Sequence, residues 1–196
     1  GLRSLEVGSG QNVAILSNNS PRWAMSDYGI ICSGAATVSI YPTLISSQIK
    51  YILNDSEASL IFIEDQEQYD KIKSIWSNCP ALKNIVILDN SEIGNSNNVY
   101  SFNSFIKKGI EYSKISDITF TSLVNTATPS DLLTLIYTSG TTGNPKGVML
   151  SHENLIANMK GIGKLIDFEA NDIFLSFLPL SHVFERMGGH FTAFSR

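Results

Sequence analysis

Thr138, Ser139, Gly140, Thr141, Thr142 and Gly143, followed by Asn144, Pro145, Lys146 and Gly147, are the residues best equipped to handle an anion. The apolar residues 132–137 before them read as a buried strand, so the hydroxyl and glycine run begins where a strand ends. Gly140 and Gly143 permit close approaches that a Cβ would obstruct, and neighbouring N–H and hydroxyl groups can then point at anionic oxygens. Pro145 stiffens the exit. Lys146 adds a full charge, worth up to ~4 kcal/mol against one phosphate charge about 4 Å away in a partly screened site. Such a loop suits a polyphosphate, whereas a plain surface loop does not require this order of glycines, proline and lysine.

Two familiar nucleotide loops fail the test of spacing. The NTPase phosphate loop needs Gly-x-x-x-x-Gly-Lys followed by Ser or Thr, but here Pro145 precedes Lys146 and Gly147 follows it. No Gly-x-Gly-x-x-Gly turn of the dinucleotide type follows the other predicted strands.

Residues 137–147 resemble, residue for residue, the signature of the adenylate-forming enzymes, the superfamily of acyl-CoA synthetases, luciferases and peptide-synthetase adenylation domains. A second segment, Phe177-Leu178-Pro179-Leu180-Ser181-His182-Val183-Phe184-Glu185-Arg186, is similar to another motif of that superfamily. Its wording is closest to the long-chain fatty acyl-CoA synthetase branch. Residues 10–23 resemble the superfamily's early strand and helix, so the matches span nearly the whole chain in the family's order.

The resemblance implies carboxylate activation: a fatty acid carboxylate attacks the α-phosphorus of ATP, pyrophosphate leaves, and the thiol of coenzyme A, the co-substrate, attacks the acyl-adenylate. It implies that Ser139, Thr141, Thr142 and the amides of Gly140 and Gly143 hold the β- and γ-phosphates, with Lys146 as a mobile charge. Thr138 becomes the hydroxyl near Mg2+, and His182 the catalytic candidate beside the α-phosphate and the acyl carboxylate. The family's later motifs are not within these 196 residues. Residues 1–196 are therefore expected to be an incomplete N-terminal portion of an AMP-binding domain, inactive alone, with the small mobile C-terminal domain absent. The alternatives are an enzyme adenylating another acid, aryl or amino, and a non-catalytic nucleotide-binding module.

Plain structural readings stand beside these roles. Lys146 also reads as a solvated loop lysine, Thr138 as the end of a strand and His182 as a histidine at a helix start. His152 reads as a capping or packing residue, and His190 as lining a cavity or lying on the surface. Glu185 and Arg186 read as a local pair or as orienting their helix. Trp23, Tyr28, Phe184 and Phe191 read as core, with Phe184 and Phe191 alternatively bordering an acyl channel.

The elements that must position these groups alternate in kind. Residues 12–16, 35–40, 59–63, 85–88, 132–137, 147–150 and 173–177 read as strands, the last delivering His182. Asn19, Ser20 and Pro21 supply a cap and first turn for a helix carrying Trp23, Tyr28 and Ile30, Ser46/Ser47 cap a helix through Ile52, and Ser151 caps one bearing Leu155, Met159 and Ile162. Residues 65–77 and 101–112 have helical spacing, 89–98 read as a polar loop, and 128–131 as a turn. The rhythm predicts an α/β fold, a mainly parallel sheet flanked by helices on both faces, with ligands beyond the carboxyl ends of the strands.

Composition agrees. With 43% apolar and 16% charged residues the chain can bury one sizeable core, and a net charge of −4 with a pI near 5.3 argues against a nucleic-acid partner. Cys32 and Cys79 lack metal spacing and read as reduced thiols in helical stretches of a cytoplasmic protein. No signal peptide is visible after Gly1, and no apolar run approaches the ~20 residues needed to span a bilayer, so membrane contact is expected to be peripheral at most.

Overall fold

The computed structural model describes residues 1–90, 97–138, 144–169 and 171–195. Its frame is a seven-stranded sheet built from Asn12–Leu16 (β1), Ala36–Ile40 (β2), Leu60–Ile63 (β3), Asn84–Ile87 (β4), Val99–Ser101 (β5), Leu132–Thr138 (β6) and Lys146–Ser151 (β7). The order across the sheet is β5-β4-β3-β1-β2-β6-β7, with every neighbouring pair parallel except the β6-β7 hairpin. Helices Pro21–Cys32 (α1), Ser46–Asp55 (α2), Gln66–Ile75 (α3), Phe102–Ser113 (α4) and Phe120–Val124 (α5) lie in the connections, and His152–Leu165 (α6) follows β7. Parallel pairing demands such crossovers, and they leave the carboxyl ends of β1, β2, β3, β4 and β6 on one edge.

Strands β1 to β4 are short, rich in aliphatic residues and buried on both sides, as a parallel sheet between helices requires, whereas β5 and β7 at the edges are partly exposed. One face packs Leu16, Val38, Ile61 and Ile85 against Ile49 and Ile52 of α2 and Tyr69 and Ile72 of α3. The other packs Val13, Ile15, Phe62 and Val86 against Trp23 and Ile30 of α1 and Phe105 of α4. Each fully buried side chain of this size contributes roughly 1.5–3 kcal/mol. β2 also buries polar side chains: Ala36, Val38 and Ile40 face the first cluster, while Thr37 and Ser39 alternate onto the α1 side and are also buried, as is Thr134 of β6.

Caps follow the sequence where a hydroxyl stands at the right place. Ser20 accepts from the Trp23 N–H with Pro21 at the first helical position, and Ser151 accepts from the Asn154 N–H. The start of α2 differs. Ile45 is the extended residue before the helix and its N–H donates to the Gln48 side chain at 3.3 Å, so Ser46 and Ser47 are helical residues rather than caps. Helix α3 gives way at Trp76–Asn78 to a 3-10 turn, and Cys79 lies just after it.

The predicted strand over 173–177 does not form. The segment pairs with no described strand, and Ile173, Leu175 and Phe177 are 96%, 80% and 73% exposed. The physical reason is its tether: Asn19, just beyond β1, holds Ser176 and Leu178, which draws the segment across the end of the sheet instead of along an edge strand. Apolar composition without a ladder partner makes no strand.

Candidate active site

The β6-β7 hairpin presents the loop. Thr138 is the last residue of β6 and Lys146 the first of β7; they face each other in the antiparallel register and both are exposed. Lys146 makes no salt bridge among the described residues, so its charge is free for a ligand. Ser139, Gly140, Thr141, Thr142 and Gly143 lie outside the described residues. What the structure supplies is a firm base for them. Tyr137 is buried in the core, donates its hydroxyl to Asp55 at 2.7 Å, and has its phenol pushed well above the ordinary range by burial first and by that carboxylate second. Gly147 lies opposite Tyr137, and a Cβ there would come within 3.0 Å of the ring.

The His182 segment is docked on the same sheet. Leu178 and Leu180 flank Pro179, and the Asn19 side chain grips both: its amide donates to the Leu178 carbonyl at 2.8 Å and its oxygen accepts from the Leu180 N–H at 2.7 Å. Ser39 of β2 donates to the Ser181 carbonyl at 3.2 Å, and Leu180 is buried in the α1-side cluster. His182 follows directly. Its N–H donates to the Pro179 carbonyl at 2.8 Å, its Nδ1 accepts from the Phe184 N–H at 3.1 Å, and its imidazole stays exposed. With Nδ1 engaged as an acceptor, the neutral ring carries its proton on Nε2 and can donate it to an anionic oxygen.

Behind His182 the chain winds into a π-helical turn, Glu185–Phe191, a conformation frequent at functional sites. Arg186 is fully buried there and does not pair with Glu185. Its guanidinium forks onto Asp27 of α1, Nε to Oδ2 at 3.0 Å and Nη2 to Oδ1 at 2.5 Å, while Nη1 donates to the Thr134 hydroxyl of β6. Asp27 Oδ1 also accepts from Thr37 of β2 at 2.7 Å, and the Thr134 hydroxyl donates to the Thr37 carbonyl at 2.6 Å. All four side chains are buried.

His190 resolves toward the interior. It sits among Trp23, Tyr28, Phe191 and Phe194, and its Nε2 and the Trp23 Nε1 are buried without a hydrogen-bond partner. Burial, opposed by Asp27, holds its imidazole below the usual histidine range. Tyr28 is pushed up to about 12 by burial, reinforced by Asp27. Trp23 and Phe191 are core as expected; Phe184 is 68% exposed and is not. His152 follows the Ser151 cap, half-buried beside Asp131, with burial lowering its affinity for a proton.

The sequence reading passed over Asn19 as a gripping residue, and Ser39, Asp27, Thr37 and Thr134 altogether. One signal was available: Thr37 and Ser39 put two hydroxyls on one face of an otherwise aliphatic strand. A cavity of about 420 Å³ between α1, α4 and α5, lined by Met25, Phe62, Phe105 and Phe120, includes none of Thr138, Lys146 or His182. Among the described residues no three His, Cys, Asp or Glu side chains cluster as metal ligands, and no helix is long and apolar enough to cross a membrane.

Comparison with known proteins follows the same geometry. A long-chain-fatty-acid–CoA ligase of Rattus norvegicus is 34% identical over 187 residues, covering 93% of this chain and 26% of the relative. A long-chain-fatty-acid–[acyl-carrier-protein] ligase of Arabidopsis thaliana is 35% identical over 199 residues, 97% of this chain and 27% of its own length. The chain thus spans about a quarter of the length of these relatives. Among solved structures, an anthranilate CoA ligase in complex with anthranoyl-AMP superposes with a TM-score of 0.77 at 25% identity, over 98% of this chain and 35% of that one. A long-chain-fatty-acid-CoA ligase from Archaeoglobus fulgidus superposes at 0.72 with 23% identity, covering 98% and 35%. The family model described as AMP-binding enzyme matches residues 1–196, so this chain, with its mostly parallel sheet, belongs to the AMP-binding, adenylate-forming enzymes.

Proposed function

We propose that these 196 residues are the front part of a longer ligase that activates a long-chain fatty acid with ATP. One carboxylate oxygen bonds to the α-phosphorus as the bond to pyrophosphate breaks, and the resulting acyl-adenylate then passes its acyl group to a thiol, with AMP leaving. Two anions must meet in the first step, so preorganised donors aimed at the developing charge are the main requirement. The observation that carries the reading is the docking of the His182 segment by Asn19 and Ser39 at the carboxyl end of the strands whose neighbour, β6, ends at Thr138.

In this reading Ser139, Gly140, Thr141, Thr142 and Gly143 cradle the β- and γ-phosphates, Lys146 supplies a mobile positive charge, and His182 donates from Nε2 toward the oxygens at the reacting end. Thr138 offers one exposed hydroxyl to Mg2+. With no carboxylate cluster among the described residues, the ion fits a site in which it arrives on the nucleotide's phosphates. When bound, it spreads the phosphate charge.

The long-chain assignment rests on the wording of residues 178–186 and on the names of the curated relatives. A solved neighbour acting on anthranilate favours a second reading, an aryl acid substrate. The acyl acceptor is proposed to be coenzyme A, with acyl carrier protein as the rival that the plant relative raises. Full-length protein assayed from acetate through octanoate to palmitate decides the acid. Each methylene removed from water contributes ~0.8 kcal/mol, so kcat/KM rises steeply along the series. A best rate with acetate or an aromatic acid refutes the long-chain assignment.

A further inference from the structure

We propose that Arg186 and Asp27, with Thr134 and Thr37, are positioning residues that lock the helical turn bearing His182 to the strand that carries the phosphate loop. The inference rests on the proposed role of His182.

Arg186 stands one turn after His182, and its own N–H donates to the His182 carbonyl at 3.1 Å, so the backbone of the candidate catalytic residue is tied to a buried charge. That charge is held from two directions. Asp27 of α1 accepts from Nε and Nη2 along one edge of the guanidinium, and the Thr134 hydroxyl of β6 accepts from the remaining nitrogen, Nη1. Thr37 of β2 then closes the circuit to both Asp27 and Thr134. The Trp23 and Phe191 rings lie 5.8 and 5.5 Å from the guanidinium carbon, and the Arg186 side chain is fully buried.

Stability alone is a poor reason for such a network. A buried ion pair replaced by well-packed apolar groups of similar volume is often neutral or stabilising, whereas its planar fork fixes orientation as a hydrophobic contact does not. β6 is also the strand whose end, Thr138, begins the loop. The network therefore sets the distance between two halves of one site, and a 1 Å error in such a distance can cost ~10²-fold in rate.

The test is a double-mutant cycle in the full-length protein. Arg186→Lys keeps the charge and loses the fork. Thr134→Val keeps the shape and the ion pair but cuts the link to β6. Each is made in the wild-type and in the His182→Ala background, with acid-dependent pyrophosphate release as the rate and near-UV circular dichroism used to count folded protein. Acting through His182, each variant lowers kcat per folded molecule by ~10- to 100-fold with the KM for ATP unchanged, and shifts the residual rate of His182→Ala by less than about 2-fold.

Equal losses in both backgrounds, or an unchanged kcat in the wild-type background, overturn the proposal while leaving the role of His182 intact. A His182→Ala enzyme at the wild-type rate overturns that role and the proposal with it. Should Arg186→Lys fail to fold, Thr134→Val decides alone.

Discussion

Removing the Asn19 side chain should loosen one segment and leave the sheet alone. Its amide makes two near-ideal hydrogen bonds to backbone on either side of Pro179, at 2.8 and 2.7 Å, from an exposed position where water can replace it. Bonds of this kind contribute ~0.5–1.5 kcal/mol each, and for exposed partners the lower half of that range applies, so Asn19→Ala costs ~1–2 kcal/mol locally. That multiplies the open population of the segment roughly 5- to 30-fold. The right reporter is the His182 amide. It donates to Pro179 and not to Asn19, so its hydrogen exchange accelerates only if the segment itself opens. Exchange at Ile15 and Val38, buried in β1 and β2, should hold at the wild-type rate. Ser39→Ala removes a single 3.2 Å bond but leaves the buried Ser181 carbonyl without its donor, a cost of ~1–3 kcal/mol, so it should accelerate the same amide by at least about 5-fold. An unchanged His182 rate in Asn19→Ala, or equal acceleration across β1 and β2, would refute the tethering argument.

Further outcomes concern the loop and the interior. Thr142→Ala and Lys146→Ala in full-length protein should slow adenylation by ~10- to 10³-fold, the scale for losing one preorganised donor, without altering chain-length preference; wild-type rates in both would mean the loop is not a working phosphate cradle. His190→Phe fills the same aromatic cage without an orphaned Nε2 and should melt no lower than wild type at pH 7. The sign of the pH effect follows from its lowered proton affinity. Below the ordinary value of 6.5 the unfolded chain binds a proton that the folded chain refuses, so wild-type stability falls as the pH drops from 7 toward 5. His190→Phe should flatten that decline in Tm, and an identical slope would show that His190 does not carry it.

The order and type of the main elements were legible because the physics that makes them is local. β1, β2, β3, β4, β6 and β7 are aliphatic runs bounded by turn residues, and the cap at Ser20 or Ser151 needs only a hydroxyl three positions ahead of an N–H. What escaped was either short or remote. β5 has three residues and α5 five, too few for any periodicity to register. Ser46 and Ser47 satisfy the composition of a cap, but the Gln48 side chain reached the free N–H first. Residues 173–177 carry a strand's composition without its partner. Arg186 was read against its neighbour Glu185 when its actual partner, Asp27, lies 159 positions away, a pairing that only the folded sheet creates. The loop and histidine motifs could be quoted from sequence, yet the side chains that hold the second one in place, Asn19, Ser39 and Thr134, could not.

Adenylation by the whole protein is tested most directly by incubating full-length enzyme with ATP, magnesium and palmitate in the absence of coenzyme A and measuring pyrophosphate release together with palmitoyl-AMP by mass spectrometry. The two should appear in equal amounts, require palmitate, and fall together by at least ~10-fold in His182→Ala. ATP turnover that ignores the fatty acid, or release of ADP and phosphate instead of pyrophosphate, would contradict the assignment.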